Sequence, residues 1–268
     1  MAVKIFANHA HVFQETVRPH ATVERLLEVM DNCGIDQAVC FAPFWDQTDQ
    51  DPGEGIHNQW LADKIADNER LYGFGTLDFT KDNLREQVLQ IRELGLLGIK
   101  IHPAHQKLNV LSEKAMEVYQ AAVDCKLFLT IHTGAHWHRL KDYDVLLFDE
   151  VSYHFPDLQF SMEHIGGYSF FNEAMAVIFN NKKIGNVYGG LTSNFTKHKS
   201  RAYYLSDDKL EELVAQVKAR KLIFGLDFPY NREQETQIAL GTLQSLPLTE
   251  EEYGLIVGGN LRRVLGLA

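Results

Sequence analysis

The sequence predicts an α/β fold, a single closed (β/α)8 barrel with an extra helical segment at its C-terminal end. Three observations support this prediction. Short apolar runs alternate with amphipathic segments eight times along the 268 residues. The runs are apolar almost throughout, which is typical of parallel strands covered by helices on both faces. No glycine-rich phosphate loop follows the first run, which disfavours a doubly wound open sheet. With right-handed crossovers, eight such units close into a barrel.

The elements follow one another regularly along the chain. The predicted strands cover residues 3–8, 37–44, 71–79, 96–102, 126–132, 157–164, 186–193 and 221–227. The helices that follow them are predicted at 22–34, 57–68, 83–95, 112–125, 141–155, 170–180, 206–220 and 233–244. In the first helix, Thr22 can cap the start and Gly34 can stop the end. The last segment, 248–266, indicates an extra pair of helices with Thr249 as its cap.

Length and composition predict one globular domain over 1–268. The chain is 45% hydrophobic and 23% charged, which is enough apolar material for a core. A net charge of −10 argues against a nucleic-acid partner. No apolar run approaches the ~20 residues that span a bilayer, so no membrane partner is expected. Three widely spaced cysteines and a start without signal-peptide features favour a cytoplasmic protein. A homodimer is the default oligomer on symmetry grounds.

Polar side chains stand at the C-terminal ends of four apolar runs. The first predicted strand ends in His9 and His11, the fifth in His132, the sixth in His164 and the eighth in Asp227. In a barrel these strand ends meet at one mouth. Residues i and i+2 of a regular strand share a face, so His9 and His11 should point the same way. Polar groups are rarely buried without a partner or a metal, so the set predicts a site.

The fourth strand adds Lys100 and His102. Lys100 is either a strand-end cation that reaches towards solvent, or a positive partner for a substrate carboxylate or for the charge of the site itself. His102 precedes a proline that can end the strand. We expect His102 to support a metal ligand or to pack against its neighbours rather than to bind an ion itself.

Histidines with one carboxylate suit a borderline divalent ion, with zinc favoured and manganese or iron as alternatives. An open coordination position leaves room for a water molecule whose pKa falls towards ~7. Asp227 can then contact the ion and accept the proton of that water. His164 can hydrogen-bond the water or a developing oxyanion.

Six motifs resemble the amidohydrolase superfamily, in the amidohydrolase-2 branch of TIM-barrel metal-dependent hydrolases that also contains aminocarboxymuconate-semialdehyde decarboxylase-like enzymes. They are HAH (9–11), GIKIHP (98–103), TIHTG (130–134), EHIGG (163–167), IFGLDFP (223–229) and GGNLRRVLG (258–266). The resemblance implies one divalent metal ion held by His9, His11, His132 and Asp227. It also implies that His164 takes part in catalysis beside the metal.

Two positions depart from the family pattern. The family usually has an aspartate two residues before the first histidine, and here that residue is Ala7. This change should alter how His9 or Asp227 is oriented by its neighbours. The seventh strand usually ends in aspartate-serine but here reads GGLTS, which leaves substrate contacts from that strand open.

The loops after the strands predict the pocket, because loops carry most of the specificity of a barrel enzyme. We expect a wall formed by Phe13, Trp137 and Tyr168. The segment 196–201 gathers cations, of which Arg201 is the expected substrate contact. Aromatic walls with a cationic rim suit a small carboxylate substrate.

The leading functional hypothesis is a metal-dependent hydrolase that uses a metal-activated water to cleave a lactone, ester or amide of a small organic acid. The alternative is a metal-dependent non-oxidative decarboxylase of a small unsaturated or aromatic carboxylate. A third hypothesis, a scaffold with a purely structural metal, is disfavoured because structural zinc sites are closed and often rich in cysteine.

Overall fold

Eight parallel strands close into a barrel in chain order. The computed structural model describes residues 3–48 and 56–267. Each strand pairs with the next along the chain, and the eighth pairs with the first, so the predicted fold class is confirmed. The strands are β1 Phe6–His11, β2 Gln37–Phe41, β3 Leu71–Gly75, β4 Gly98–Ile101, β5 Phe128–His132, β6 Phe160–Glu163, β7 Val187–Leu191 and β8 Leu222–Phe228.

Helices alternate with the strands. In the first, the Thr22 side chain accepts a hydrogen bond from the Arg25 amide at 3.3 Å, and Gly34 ends the helix at a φ of 68°. The helix predicted at 141–155 divides into a 3-10 turn, Leu140–Tyr143, and an α-helix. The helices are α1 Val23–Cys33, α2 Ile56–Ile65, α3 Leu84–Glu93, α4 Pro103–Gln106, α5 Glu113–Cys125, α6 Leu147–His154, α7 Phe171–Asn180, α8 Asp207–Val217, α9 Glu233–Ser245, α10 Glu250–Gly254 and α11 Asn260–Val264.

The C-terminal segment is one continuous helix rather than the predicted pair. Thr249 caps its start, and α10 runs through a π-helical turn, Leu255–Gly259, into α11 without leaving helical φ and ψ values. Glycines within the π-helical turn do not interrupt the helix. A Cβ at Gly258 would lie 2.8 Å from the Lys4 carbonyl oxygen, so the glycine lets the helix approach β1 closely. The helix therefore packs against the N-terminal end of the barrel.

The barrel interior has an apolar floor beneath a polar layer. The floor combines side chains of six strands with one from α11, namely Phe6, Val39, Phe41, Phe74, Phe128, Tyr188, Ile223 and Leu261. The polar layer is almost completely buried and consists of Asn8, Lys100, Thr130, Ser161, Glu163 and Thr192. Asn8 Nδ2 donates within this layer to Thr130 Oγ1 at 3.2 Å and to Glu163 Oε1 at 3.1 Å, whereas Asn8 Oδ1 has no partner among the described residues. The layer lies beneath the residues at the mouth and supports them.

Five non-glycine residues near the C-terminal ends of strands adopt left-handed backbone conformations. The φ values are 69° at His9, 63° at His164, 46° at Ile165, 60° at Ser193 and 59° at Asp227. At His9 the pairing register of β1 shifts against both neighbouring strands, so β1 is not the regular strand that the sequence argument assumed. Such conformations cost about 1–3 kcal/mol each and cluster at functional sites.

Within 3–48 and 56–267, none of the helices combines the length and apolar character that crossing a bilayer requires.

Candidate metal centre

Three side chains from three strand ends bring potential metal ligands together. One ligand atom each from His9, His164 and Asp227 lies within 4.8 Å of the others, and all three side chains are buried. His9 Nε2 and Asp227 Oδ1 are 3.4 Å apart. His9 and Asp227 lie within β1 and β8, His164 directly follows β6, and all three residues have left-handed backbone conformations.

A buried carboxylate orients His9. His9 Nδ1 donates to Glu163 Oε2 at 2.8 Å, so the lone pair of His9 lies on Nε2, the nitrogen nearest Asp227. The Glu163 oxygens also accept from Thr192 Oγ1 at 2.7 Å, from Ser161 Oγ at 2.5 Å and from Asn8 Nδ2 at 3.1 Å. Glu163 thus orients a histidine in the way the missing aspartate at position 7 was expected to do.

His164 is held in the same kind of tautomer. Its Nδ1 donates to the Thr192 carbonyl oxygen at 2.8 Å, which leaves the lone pair on Nε2. Burial, reinforced by the charge of Lys100, lowers the pKa of His164 to about 3. His164 is therefore neutral, with the Nε2 lone pair available to a cation, and in this tautomer Nε2 has no proton to donate to an oxyanion.

Asp227 is anchored through one oxygen. Ser193 Oγ donates to Asp227 Oδ2 at 2.5 Å, and Asn231 Nδ2 donates to Ser193 Oγ at 2.9 Å. Oδ1 is then left on the side of His9. Burial raises the pKa of Asp227, and the Ser193 hydrogen bond and the Lys100 charge oppose that rise.

The residues fit a divalent cation. His9 Nε2 and Asp227 Oδ1 are both acceptors, and two acceptors 3.4 Å apart repel each other unless a cation lies between them. Donors about 2.1 Å from an ion are roughly 3.3–3.6 Å apart at tetrahedral angles, which matches this separation. Lys100 Nζ contacts the same His9 nitrogen at 3.2 Å, so it stabilises the charge of the site and competes for the lone pair. Burial lowers the pKa of Lys100 to about 8.

The other two predicted ligands lie beside this group. The His11 ring is 5.1 Å from the His9 ring and 5.9 Å from the Tyr230 ring, but His11 is outside the set of three convergent ligands. His132 belongs to a second group, with His102 and His136. The His132 and His164 ring centroids are 4.6 Å apart, so the two groups adjoin.

The histidines of both groups, together with His11 and Asp227, line one cavity of about 620 Å³ at the barrel mouth. Of the predicted substrate contacts, Lys100, Trp137 and Arg201 line it. Phe13 is only 1% exposed and packs under the Arg18 guanidinium, 4.2 Å from the ring centroid. Tyr168 is exposed and lies beside Lys209. The structure thus does not bring Phe13 or Tyr168 to the cavity.

Sequence reasoning missed several cavity residues and the carboxylate beneath them. Glu163 could have been found from the sequence, because it is a charged residue inside a predicted apolar strand and immediately precedes His164. Ser193 ends the GGLTS segment that departs from the family pattern, but nothing in the sequence marked it as the partner of Asp227. The other cavity residues that the sequence did not single out are Gln47, His105, Ser200, Ala202, Tyr203 and Asn231.

Solved structures share this fold at low sequence identity. The 5-carboxyvanillate decarboxylase of Sphingomonas paucimobilis is 18% identical with a TM-score of 0.76, and all of both chains is covered. A Pseudomonas putida protein provisionally assigned as a 2-pyrone-4,6-dicarboxylic acid hydrolase is 15% identical (TM-score 0.71, 100% of this chain and 99% of the other). A dihydroxybenzoic acid decarboxylase of Polaromonas with bound manganese and the inhibitor 2-nitroresorcinol is 15% identical (TM-score 0.72, 99% and 98%).

Comparison with curated protein sequences finds no match. The family model described as Amidohydrolase (Amidohydro_2) matches residues 9–267, nearly the whole chain, and confirms the resemblance carried by the motifs. The chain is therefore an enzyme of the amidohydrolase family.

Proposed function

We propose that this protein is a hydrolase that uses a metal-activated water to cleave a lactone, ester or amide of a small organic acid. The observation that carries the proposal is the convergence of His9, His164 and Asp227, with Asp227 anchored on Ser193 through one oxygen only. The family is metal-dependent, and a divalent ion supplies a Lewis acid that acidifies water and polarises a carbonyl group.

Asp227 is the proposed proton carrier. Its Oδ2 is committed to Ser193 and its Oδ1 would hold the ion, so the lone pair of Oδ1 that does not face the ion is the proposed acceptor for the proton of the attacking water. Because burial raises the pKa of this carboxyl group, it binds a proton more readily than an exposed aspartate does. The same oxygen can then deliver the proton to the leaving group.

The substrate is proposed to be a small carboxylate. Lys199 at the cavity rim is paired with Glu235 at 3.0 Å, whereas Arg201 has no ion-pair partner among the described residues. Arg201 is therefore the rim cation available to a substrate carboxylate. Tyr203 stacks on His164 with ring centroids 4.3 Å apart, and burial keeps its hydroxyl protonated by raising its pKa. Tyr203 and Lys100 are the hydrogen-bond donors proposed to face a developing oxyanion.

Zinc is the proposed metal because two imidazoles and one carboxylate are ligands that it favours. Manganese, present in the Polaromonas decarboxylase structure, and iron are the alternatives. The three cysteines are free thiols, as in proteins of reducing compartments, which supports a cytoplasmic location.

Non-oxidative decarboxylation of an unsaturated or aromatic carboxylate is the second candidate. Structures described as 5-carboxyvanillate and dihydroxybenzoate decarboxylases share the fold, and this likeness supports decarboxylation as the second candidate. The two reactions differ in their products. Hydrolysis releases acid without CO₂, whereas decarboxylation releases one CO₂ for each substrate consumed.

One experiment tests both the reaction and the residue. The zinc-loaded enzyme is assayed against lactones, esters and amides of small mono- and dicarboxylic acids, and against hydroxybenzoates, with acid release and CO₂ measured in parallel. We expect Asp227→Asn, with its metal content verified, to lower kcat for hydrolysis by roughly 10²–10⁴-fold. The exposed Asp157→Asn variant is the control and should match the wild type. CO₂ release without hydrolysis, or normal turnover by metal-loaded Asp227→Asn, would contradict the proposal.

A further inference from the structure

Three cations lie at the N-terminal end of the barrel, the end opposite the metal centre. Arg220 and Lys221 belong to the 3-10 turn Ala219–Lys221, which leads into β8. Arg263 lies in α11, and its Nη2 donates to the Arg220 carbonyl oxygen at 2.9 Å. Lys221 precedes Asp227 by six residues, so about 20 Å of strand separates these cations from the metal centre. The three residues, here called the basal cluster, are therefore remote from the cavity at the mouth.

Lys221 is buried without an opposite charge. It is only 5% exposed. Its ammonium group donates to the Gly185 carbonyl oxygen at 2.5 Å and lies 4.3 Å from the centroid of the Tyr188 ring. Both of these partners are neutral. Burial, together with the positive charges of Arg220 and Arg263, lowers the pKa of Lys221 to about 8. A buried cation that has neutral and like-charged neighbours lacks the opposite charge that normally offsets its loss of hydration.

The two guanidinium groups of the basal cluster are not neutralised either. Both arginines are exposed, and neither forms an ion pair with a carboxylate in the part of the chain that the structure describes. The arginines that do so are Arg25, Arg70 and Arg85. Burial raises the pKa of Tyr188, and the nearby charges of Arg263 and Arg220 oppose that rise. Three cations thus surround Tyr188 in a chain whose net charge is −10, and no described carboxylate balances them.

We propose that Arg220, Lys221 and Arg263 form an anion site that binds a phosphate group. A guanidinium group presents paired N–H donors that match two phosphate oxygens, and an ammonium group adds a compact charge. A phosphate group carries about −1.5 to −2 charges at neutral pH, so it offsets more of the three positive charges than one carboxylate does. Gly185 takes one of the three protons of the Lys221 ammonium group, which leaves donors for the ligand. The proposal does not depend on which reaction the enzyme catalyses.

Isothermal titration calorimetry tests the site. Zinc-loaded full-length protein and the same protein after chelation are each titrated with inorganic phosphate, in buffer whose ionic strength is fixed with NaCl. We expect one saturable equivalent that persists after chelation, because no metal takes part in the basal cluster. Glycerol 2-phosphate is titrated in parallel. Tighter binding of this ester identifies a phosphorylated molecule as the ligand, and equal or weaker binding identifies the free ion.

Four variants locate the bound phosphate. Arg220→Met removes an exposed guanidinium group, and Lys221→Met removes the buried ammonium group. Each should raise the phosphate Kd about tenfold or more, because each removes a charge-assisted hydrogen bond. Lys81→Met changes the net charge equally at an exposed position outside the cluster, and Arg201→Met removes the rim cation of the mouth. Both of these should keep the wild-type Kd, and circular dichroism verifies that every variant is folded.

Two results would overturn the basal site. One is the absence of saturable phosphate binding by the chelated wild type at fixed ionic strength. The other is an affinity that Arg201→Met loses and Arg220→Met retains, because phosphate would then bind at the mouth. Neither result bears on hydrolysis at the metal centre, so this proposal and the proposed function fail separately.

Discussion

Glu163→Gln tests whether the buried carboxylate prepares His9 for metal. The variant keeps the size and shape of the side chain but removes its charge. The glutamine can direct its oxygen at His9 and its amide group at Ser161 and Asn8. The serine hydroxyl can accept as well as donate, and the Asn8 amide, whose Oδ1 has no partner among the described residues, can rotate to accept. The His9 tautomer is then preserved, but its Nδ1 proton is bound to a neutral oxygen rather than to a carboxylate.

The size of the effect follows from that exchange. A hydrogen bond to a charged group contributes about 1.5–3 kcal/mol and one between neutral groups about 0.5–1.5 kcal/mol. The difference, about 1–1.5 kcal/mol, corresponds to roughly a tenfold change in affinity. Loss of a group that supports a metal-bound histidine typically weakens metal binding about 10–100-fold. We therefore expect the zinc Kd at the His9 site to rise at least about tenfold.

Competition with a chromophoric chelator measures this Kd, and urea unfolding checks the fold. Ser161→Ala is the matched control, because it removes a donor to Glu163 Oε1 and leaves the Oε2 contact with His9 intact. Its Kd should stay within about threefold of the wild type. The reasoning is refuted if Glu163→Gln binds zinc as tightly as the wild type, or if Ser161→Ala loses as much affinity.

Three further variants probe the same layers of the barrel. Lys100→Met removes an ammonium group that contacts His9 Nε2 at 3.2 Å, so zinc affinity should increase about tenfold or more in the chelator assay. Gly190→Ala places a Cβ 2.4 Å from the Glu163 carboxyl group, and should lower the urea midpoint by an amount equivalent to about 1–3 kcal/mol as well as weaken zinc binding. Thr249→Ala removes a helix cap remote from the cavity, and should cost about 1 kcal/mol of unfolding free energy with zinc affinity unchanged.

The barrel was predictable because its determinants are local. Each strand is a short apolar run, and signals such as Thr22 and Gly34 mark the ends of a helix within a few residues. The prediction of a pair of C-terminal helices was wrong, because the segment continues through a π-helical turn that contains Gly258. Its function is close contact with β1, which only the assembled fold reveals.

The sequence predicted which strand ends carry the residues of the site, but not how the side chains are arranged there. Convergence of histidines and Asp227 follows from barrel topology alone. The grouping of His132 with His136 depends on the loop carbonyl of Gly134, which no periodicity encodes. Phe13 lies two residues after the metal motif in sequence, yet its ring packs under Arg18, because position after a strand does not fix side-chain direction.

The left-handed residues at the strand ends have a consequence for how this enzyme would respond to selection. Glycine adopts the φ values of His9, His164, Ser193 and Asp227 without steric penalty. The side chains of His9, His164 and Asp227 are buried and hydrogen-bonded, so glycine at these positions would exchange a strained backbone for a cavity and for unpaired partners such as the Glu163 carboxylate beneath His9. A library screened only for survival of heating should therefore keep these residues, because burial of their side chains offsets the strain in their peptide units.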